Sequence, residues 1–262
     1  MQLVQSIAML QARLQAEATT KTKDWWEAYM KQVIPFRGVK MPDVRSALHR
    51  WYADEGIGEW PVDEQKELAL ALFRERHAED KIAGILLLQE ILLPAGALDW
   101  RADLPRFADL FRDGWIDDWN VCDWFCVKVL GPLVEREGEA CARAIAAWKT
   151  AENLWQRRAA GVAFVNLAKR ADENFSGFSD LLLEVSAAKV KHAERFSQTG
   201  TGWVLRELSL AEPARVERFV ETHLCDFSSE GLRYASSKLA DESQRRLKEQ
   251  HKQCGQSPAE HR

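Results

Sequence analysis

The chain has 262 residues, enough for one large domain or a repeat array with a continuous core, and that size excludes a disulfide-held miniprotein. Hydrophobic residues make up 46% and charged residues 29%, with only 14 glycines and 8 prolines, which is the composition of an ordered, helix-rich chain and not of a disordered or collagen-like one. The formal net charge of −4 arises in one block: positions 61–118 hold 7 basic and 13 acidic side chains while the rest is close to balanced, so the total neither requires nor forbids a polyanionic partner.

From the N-terminus, MQLVQSIAMLQARLQAE has no basic n-region, unbroken apolar core or small-residue cleavage site, and the expected location is cytoplasmic. The longest apolar run, Ile85 to Leu93, is broken by Gln89 and Glu90, too short and too polar to span a membrane. Apolar spacing predicts helices over 2–17, 24–33, 42–54, 63–77, 80–93, 101–112, 117–130, 138–149, 152–170, 177–187, 190–197, 201–209, 213–222 and 228–250. Pro42, the acids from Asp63 and Pro213 are start signals. Alternating β-branched runs are missing, so the expected class is all-α.

Short connections are read at Pro94-Ala95-Gly96, Gly131-Pro132 and Gly200-Thr201-Gly202. Apolar helices starting near Asp80, Trp119, Trp155 and Thr201 are 39, 36 and 46 residues apart. A period near 40 with two helices per unit fits HEAT-like repeats stacked into a curved α-solenoid, with a compact bundle as the alternative. The repeat domain is expected over 1–240, followed by a polar tail over 241–262 with few apolar anchors and a frayed end.

The five cysteines (Cys122, Cys126, Cys141, Cys225 and Cys254) are an odd number without a C-x-x-C spacing, and the six histidines form no H-E-x-x-H. Cys122 and Cys126, one turn apart on an apolar segment, read as reduced core thiols, and no metal site is expected. Eleven tryptophans are unusual, and most must pack. Three contexts pair a tryptophan with charge. Trp119 and Asp123 are four residues apart, so indole and carboxylate share a helix face, and a carboxylate inside VCDWFCVKVL needs a partner or a solvated groove. Trp155 precedes Arg157 and Arg158, which point about 100° apart. Trp203 precedes Arg206.

With these motifs in order from Tyr29 to about residue 240, the sequence resembles the AlkD-type DNA alkylation repair glycosylases, HEAT-like repeat proteins. Tyr29-Met30-Lys31 and Pro35-Phe36-Arg37-Gly38-Val39-Lys40-Met41-Pro42-Asp43-Val44-Arg45 resemble the family's opening segment. Trp119-Asn120-Val121-Cys122-Asp123 resembles its Trp-x-x-x-Asp helix, and Trp155-Gln156-Arg157-Arg158-Ala159 its arginine helix, with Arg158 the better match. Gly202-Trp203-Val204-Leu205-Arg206-Glu207 resembles its late motif, whereas Asp118, Asn120 and Cys122 depart from the family's middle helix.

The resemblance implies hydrolysis of the N-glycosidic bond of cationic alkylated purines, such as 3-methyladenine and 7-methylguanine, in duplex DNA. Asp123 would stabilise the sugar cation and orient water, Trp119 and Trp203 would lie against the sugar and backbone, and Arg158 would hold a phosphate. Tyr29, Arg206, Lys169, Arg170, Lys189 and Lys191 are the further expected DNA contacts, and the acidic 61–118 block is expected to face mostly outward. Trp119, Asp123, Arg158 and Trp203 are expected on one concave face. No cofactor or metal is implied, and the expected form is a monomer. A noncatalytic binder of damaged or branched DNA and a HEAT-type protein scaffold are the rival readings.

Overall fold

The computed structural model describes residues 2–254. Among these every regular element is helical, as the periodicity implies. The segment expected as one repeat domain carries its packing in two compact units, Met1–Val129 and Leu130–Arg262.

The first unit holds α1 (Gln2–Ala16), α2 (Thr20–Tyr29), α3 (Met41–Asp54), α4 (Val62–Phe73), α5 (Ala78–Leu86), α6 (Trp100–Arg112) and α7 (Trp119–Phe125). Side-chain caps explain several starts: Thr19 accepts from Thr22 N ahead of α2, Asp99 from Arg101 N ahead of α6, and Asp118 from Asn120 N and Val121 N ahead of α7. Pro42 sits in the first turn of α3, and Asp63 and Glu64 occupy that of α4, where the helix dipole favours anions. The core centres on Phe125, whose ring meets Phe73 at 5.5 Å and Phe107 at 5.2 Å, while buried Trp51 donates its indole N–H to Ser6 O at 2.8 Å.

Of the 13 acidic residues at 61–118, four are exceptions to the expectation that the block faces mostly outward. Glu79, Asp80, Asp103 and Asp118 are all 2% exposed or less. Each acts as an internal acceptor. Glu79, at the start of α5, takes three backbone N–H groups, from Arg37 (2.9 Å), Gly38 (2.8 Å) and Val39 (3.0 Å). Asp80 takes the Arg37 guanidinium at 2.6 Å. Asp103 on α6 pairs with Lys66 on α4 at 2.9 Å. Gly38 adopts φ +100°, and a Cβ there would lie 2.3 Å from Thr19 O, so only glycine fits this turn.

The second unit holds α8 (Gly131–Glu137), α9 (Glu139–Ala146), α10 (Leu154–Val162), α11 (Val165–Ala168), α12 (Phe178–Lys189), α13 (Arg195–Leu208), α14 (Pro213–Thr222), α15 (Ser229–Ser236) and α16 (Asp241–Cys254). Helices α5, α7, α10 and α13 begin 41, 35 and 41 residues apart, so the period near 40 holds. The polar stretch from 241 forms α16 up to Cys254, and its last residues, 255–262, lie outside the described part.

Two expected connections are helical instead. Gly131-Pro132 lies in the first turn of α8, which follows a π-helical stretch over Cys126–Leu130 without a break. Gly200-Thr201-Gly202 lies inside α13, because the glycine there serves contact and not a turn. A Cβ on Gly202 would stand 2.6 Å from Gly231 O and from Tyr234 Cβ on α15.

Cys122, Cys126 and Cys141 are buried and outside any disulfide, as expected of the first two, but Cys225 and Cys254 form a disulfide that joins the turn before α15 to the end of α16. A 29-residue separation carries no recognisable spacing signal. In the chain-entropy treatment a loop of that length contributes about 3–4 kcal/mol. Reductant is therefore expected to lower the unfolding midpoint of the wild type and to leave the Cys225→Ser/Cys254→Ser variant unmoved. Equal midpoints for the oxidised wild type and the variant in calorimetry would show the crosslink idle.

Candidate nucleic-acid interface

In the first unit, α2 presents its aromatic residues on two sides. Trp26 turns inward and stacks on Phe36 at 5.4 Å with planes 7° apart, in the segment that Glu79 holds. Trp25 and Tyr29, four residues apart, stack at 5.4 Å and 5° yet remain 58% and 53% exposed. Two large aromatic faces left in water are costly unless something covers them in use. Tyr29 was legible from its motif. Trp25 was not singled out, although the spacing in Trp25-Trp26-Glu27-Ala28-Tyr29 carries the signal.

Tyr29 meets the Trp119 ring edge-on, at 5.6 Å and 71°. Trp119 opens α7 and Asp123 follows one turn later, both half-buried, while Val121, Cys122 and Phe125 fill the core. The i,i+4 spacing therefore places indole and carboxylate side by side on the solvent-facing part of α7. Aromatic shelf and carboxylate belong to one unit.

The position of α7 depends on Asp118. Its carboxylate accepts from Asn120 N at 2.8 Å and Val121 N at 3.0 Å through one oxygen. The other oxygen is buried without a hydrogen-bond partner. Burial pushes the carboxyl from its ordinary value of 3.8 up to about 6, against the pull of the two backbone N–H groups. Lys81, itself buried, donates to Phe73 O at 2.6 Å and Trp115 O at 2.7 Å, fixing the segment that leads into the cap.

In the second unit, Trp203 is half-buried on α13, and the Arg206 guanidinium lies 6.0 Å from its ring centre. Arg206 is also bound to Glu207 at 2.6 Å. Arg158, expected on a phosphate, is 5% exposed and donates to Phe196 O at 2.7 Å and to Thr199 Oγ1 at 3.3 Å. Its guanidinium joins α10 to the first turn of α13. Arg157 is equally buried, donating to Ala151 O and Glu152 O and pairing with Glu194. Lys189, another expected phosphate contact, is 1% exposed and donates to Arg158 O at 3.2 Å. A buried ammonium needs protein acceptors, and this one holds α12 to α10. Of the remaining cations, Lys169 and Lys191 are exposed and Arg170 pairs with Glu135 at 2.7 Å.

No group of three or more His, Cys, Asp or Glu residues among those described could hold a metal ion, and no helix among them is long and apolar enough to cross a membrane.

The comparisons with known proteins define the class of this all-α protein further. The chain belongs to the DNA alkylation repair enzyme family, whose sequence model matches residues 10–239. A solved structure described as a predicted DNA alkylation repair enzyme from Enterococcus faecalis has the same fold, with a TM-score of 0.69 and 22% identity over 86% of this chain and 98% of that one. No curated protein matches the sequence.

Asp118→Asn keeps the capping oxygen and removes the charge. A carboxyl raised from 3.8 to about 6 carries its full destabilisation above pH 6 and none below pH 4, so this group alone makes the wild type gain stability on acidification through that window. The shift of about two units corresponds to about 3 kcal/mol. The variant is expected to be more stable than wild type at pH 7 and to lose the difference by pH 4, as measured by denaturant unfolding at both values.

Proposed function

We propose that the protein is a DNA glycosylase that releases cationic alkylated purines from duplex DNA. The observation that carries this reading is the pairing of Trp119 and Asp123 on one face of α7, with Tyr29 against the indole and Trp25 stacked beyond it. Methylation at purine N3 or N7 gives the base a positive charge. When the C1′–N9 bond breaks, the bonding pair leaves with the base, which departs neutral, and the deoxyribose becomes an oxocarbenium-like cation. A cationic base needs no general acid, so one carboxylate suffices where sugar hydrolases use two.

Asp123 faces that cation, stabilises it through space and accepts the proton of the water that attacks C1′. Trp119 supplies an electron-rich face to the same charge, worth about 0.5–2 kcal/mol. Tyr29 and Trp25 offer planar surface to the unpaired region around the lesion. Trp203, Arg206, Lys169 and Lys191 in the second unit contact the sugar–phosphate backbone. Arg158 and Lys189 act within the protein, by holding α13 and α10 respectively, while Arg170, half-exposed beside Glu135, remains with the surface cations.

The test is incubation of methylated duplex with the protein and chromatography of the released bases. Asp123→Asn is expected to slow release of 7-methylguanine at least about tenfold, which requires only 1.4 kcal/mol of lost transition-state stabilisation. Duplex affinity should hold or rise, because an anion near phosphates is gone. A lowered melting temperature with unchanged release would reduce Asp123 to a structural carboxylate. Wild-type protein that binds methylated duplex and releases no base would overturn the glycosylase reading in favour of a noncatalytic DNA binder.

A further inference from the structure

Helices α15 and α16 of the second unit enclose a cleft of about 790 Å³. Its floor includes buried Leu232 and Ser236, and its rim is cationic. Arg245, Lys248 and Lys252 follow one another at spacings of three and four along α16, so they share a stripe facing the cleft, and Arg233 stands on the opposite wall. The one acidic lining residue, Glu230, is already held by both nitrogens of Arg195 at 2.7 and 2.8 Å. Lys252 has Glu249 at 2.7 Å, but no carboxylate of the described residues lies within 4.0 Å of Arg233, Arg245 or Lys248. Like charges gathered around a cavity with fewer counter-ions than cations repel one another, and a polyanion in the cleft removes that cost.

Shape and position narrow the ligand. The volume far exceeds that of a single phosphate ion. Arg245 to Lys252 spans seven residues, about 10 Å of helix, long enough to meet more than one phosphate of a single strand. Helix α15 packs directly on α13, with Gly202 against Gly231, so one wall of the cleft is the helix that supports Trp203 and Arg206. Helix α16 lies beyond residue 239, where the family match ends, and the Cys225–Cys254 disulfide anchors its far end.

We propose that the α15–α16 cleft binds the phosphodiester backbone of a DNA strand, as a contact separate from the aromatic–carboxylate site. The proposal rests on the reading of the protein as a DNA-binding enzyme. Its test is fluorescence anisotropy with a labelled, unmodified 30-base-pair duplex across a salt series, comparing wild type with Arg233→Gln/Arg245→Gln/Lys248→Gln. Each neutralised phosphate adds about 0.9 to the slope of log affinity against log salt, so the triple variant is expected to flatten the slope by about two to three and to bind at least about tenfold more weakly at low salt. The charge-preserving Arg245→Lys/Lys248→Arg variant is expected to keep the wild-type slope. The substituted groups are at the surface, and a thermal melt matching wild type shows that the triple variant is folded. A folded triple variant with the wild-type slope would overturn the cleft while leaving DNA binding intact, whereas a wild type without salt-dependent duplex binding would overturn both. Poly-glutamate that binds at the cleft more tightly than duplex would replace the strand by an acidic protein partner and overturn the proposal.

Discussion

The aromatic surface of the first unit depends on one carboxylate. Glu79 sits in the first turn of α5 and collects the N–H groups of Arg37, Gly38 and Val39, the segment that leads from α2 into α3. Buried backbone donors must be satisfied, and here no helix or sheet is present to do it, so a single side chain does. The helix dipole at the start of α5 makes the anion less costly to bury. Phe36, next to the clamped segment, receives Trp26, Trp26 touches Tyr29, and Tyr29 touches Trp119. The placing of the Tyr29 ring against Trp119 thus depends in part on hydrogen bonds made to residues 37–39, far from Trp119 in sequence.

Much of this arrangement was readable from residue types and spacings. Trp119 and Asp123 project together because a helix turns about 100° per residue, a property of local geometry that tertiary packing does not alter. The starts of α5, α7, α10 and α13 were readable too, because each opens an apolar run that must bury one face. Where the reading departed from the structure, the missing information was a long-range partner. Gly202 looks like a chain break until Gly231 and Tyr234 come within contact of it. Arg158 and Lys189 look like surface cations until the carbonyl oxygens that hold them are placed by α13 and α10. The acids at 79, 80, 103 and 118 resemble the rest of their charge block, and only the backbone N–H groups and cations brought to them by folding set them apart.

The basic residues of the second unit consequently divide into two populations that a count cannot separate. One is interior: Arg157, Arg158 and Lys189 spend their donors on backbone carbonyls and fix helix to helix. The other lies at the surface, in Lys169, Lys191 and the residues along α15 and α16. An overall charge of −4 is compatible with a polyanion ligand because the acids are largely committed elsewhere, several of them inside the first unit. Net charge measures the sum, whereas a ligand meets only what the fold leaves outside.

The fate of the five cysteines acquires a chemical meaning in a family devoted to alkylation damage. Agents that methylate purines are electrophiles, and the protein group they attack fastest is a thiolate. Cys122, Cys126 and Cys141 are sealed in the interior, with the Cys141 thiol pushed up to about 12 by burial, and the sulfurs of Cys225 and Cys254 are spent on each other. Cys122 adjoins Asp123 in sequence, yet its sulfur is on the dry side of α7 while the carboxylate is on the wet side. The protein therefore presents no accessible thiolate to such electrophiles, and can work amid them without itself becoming a target.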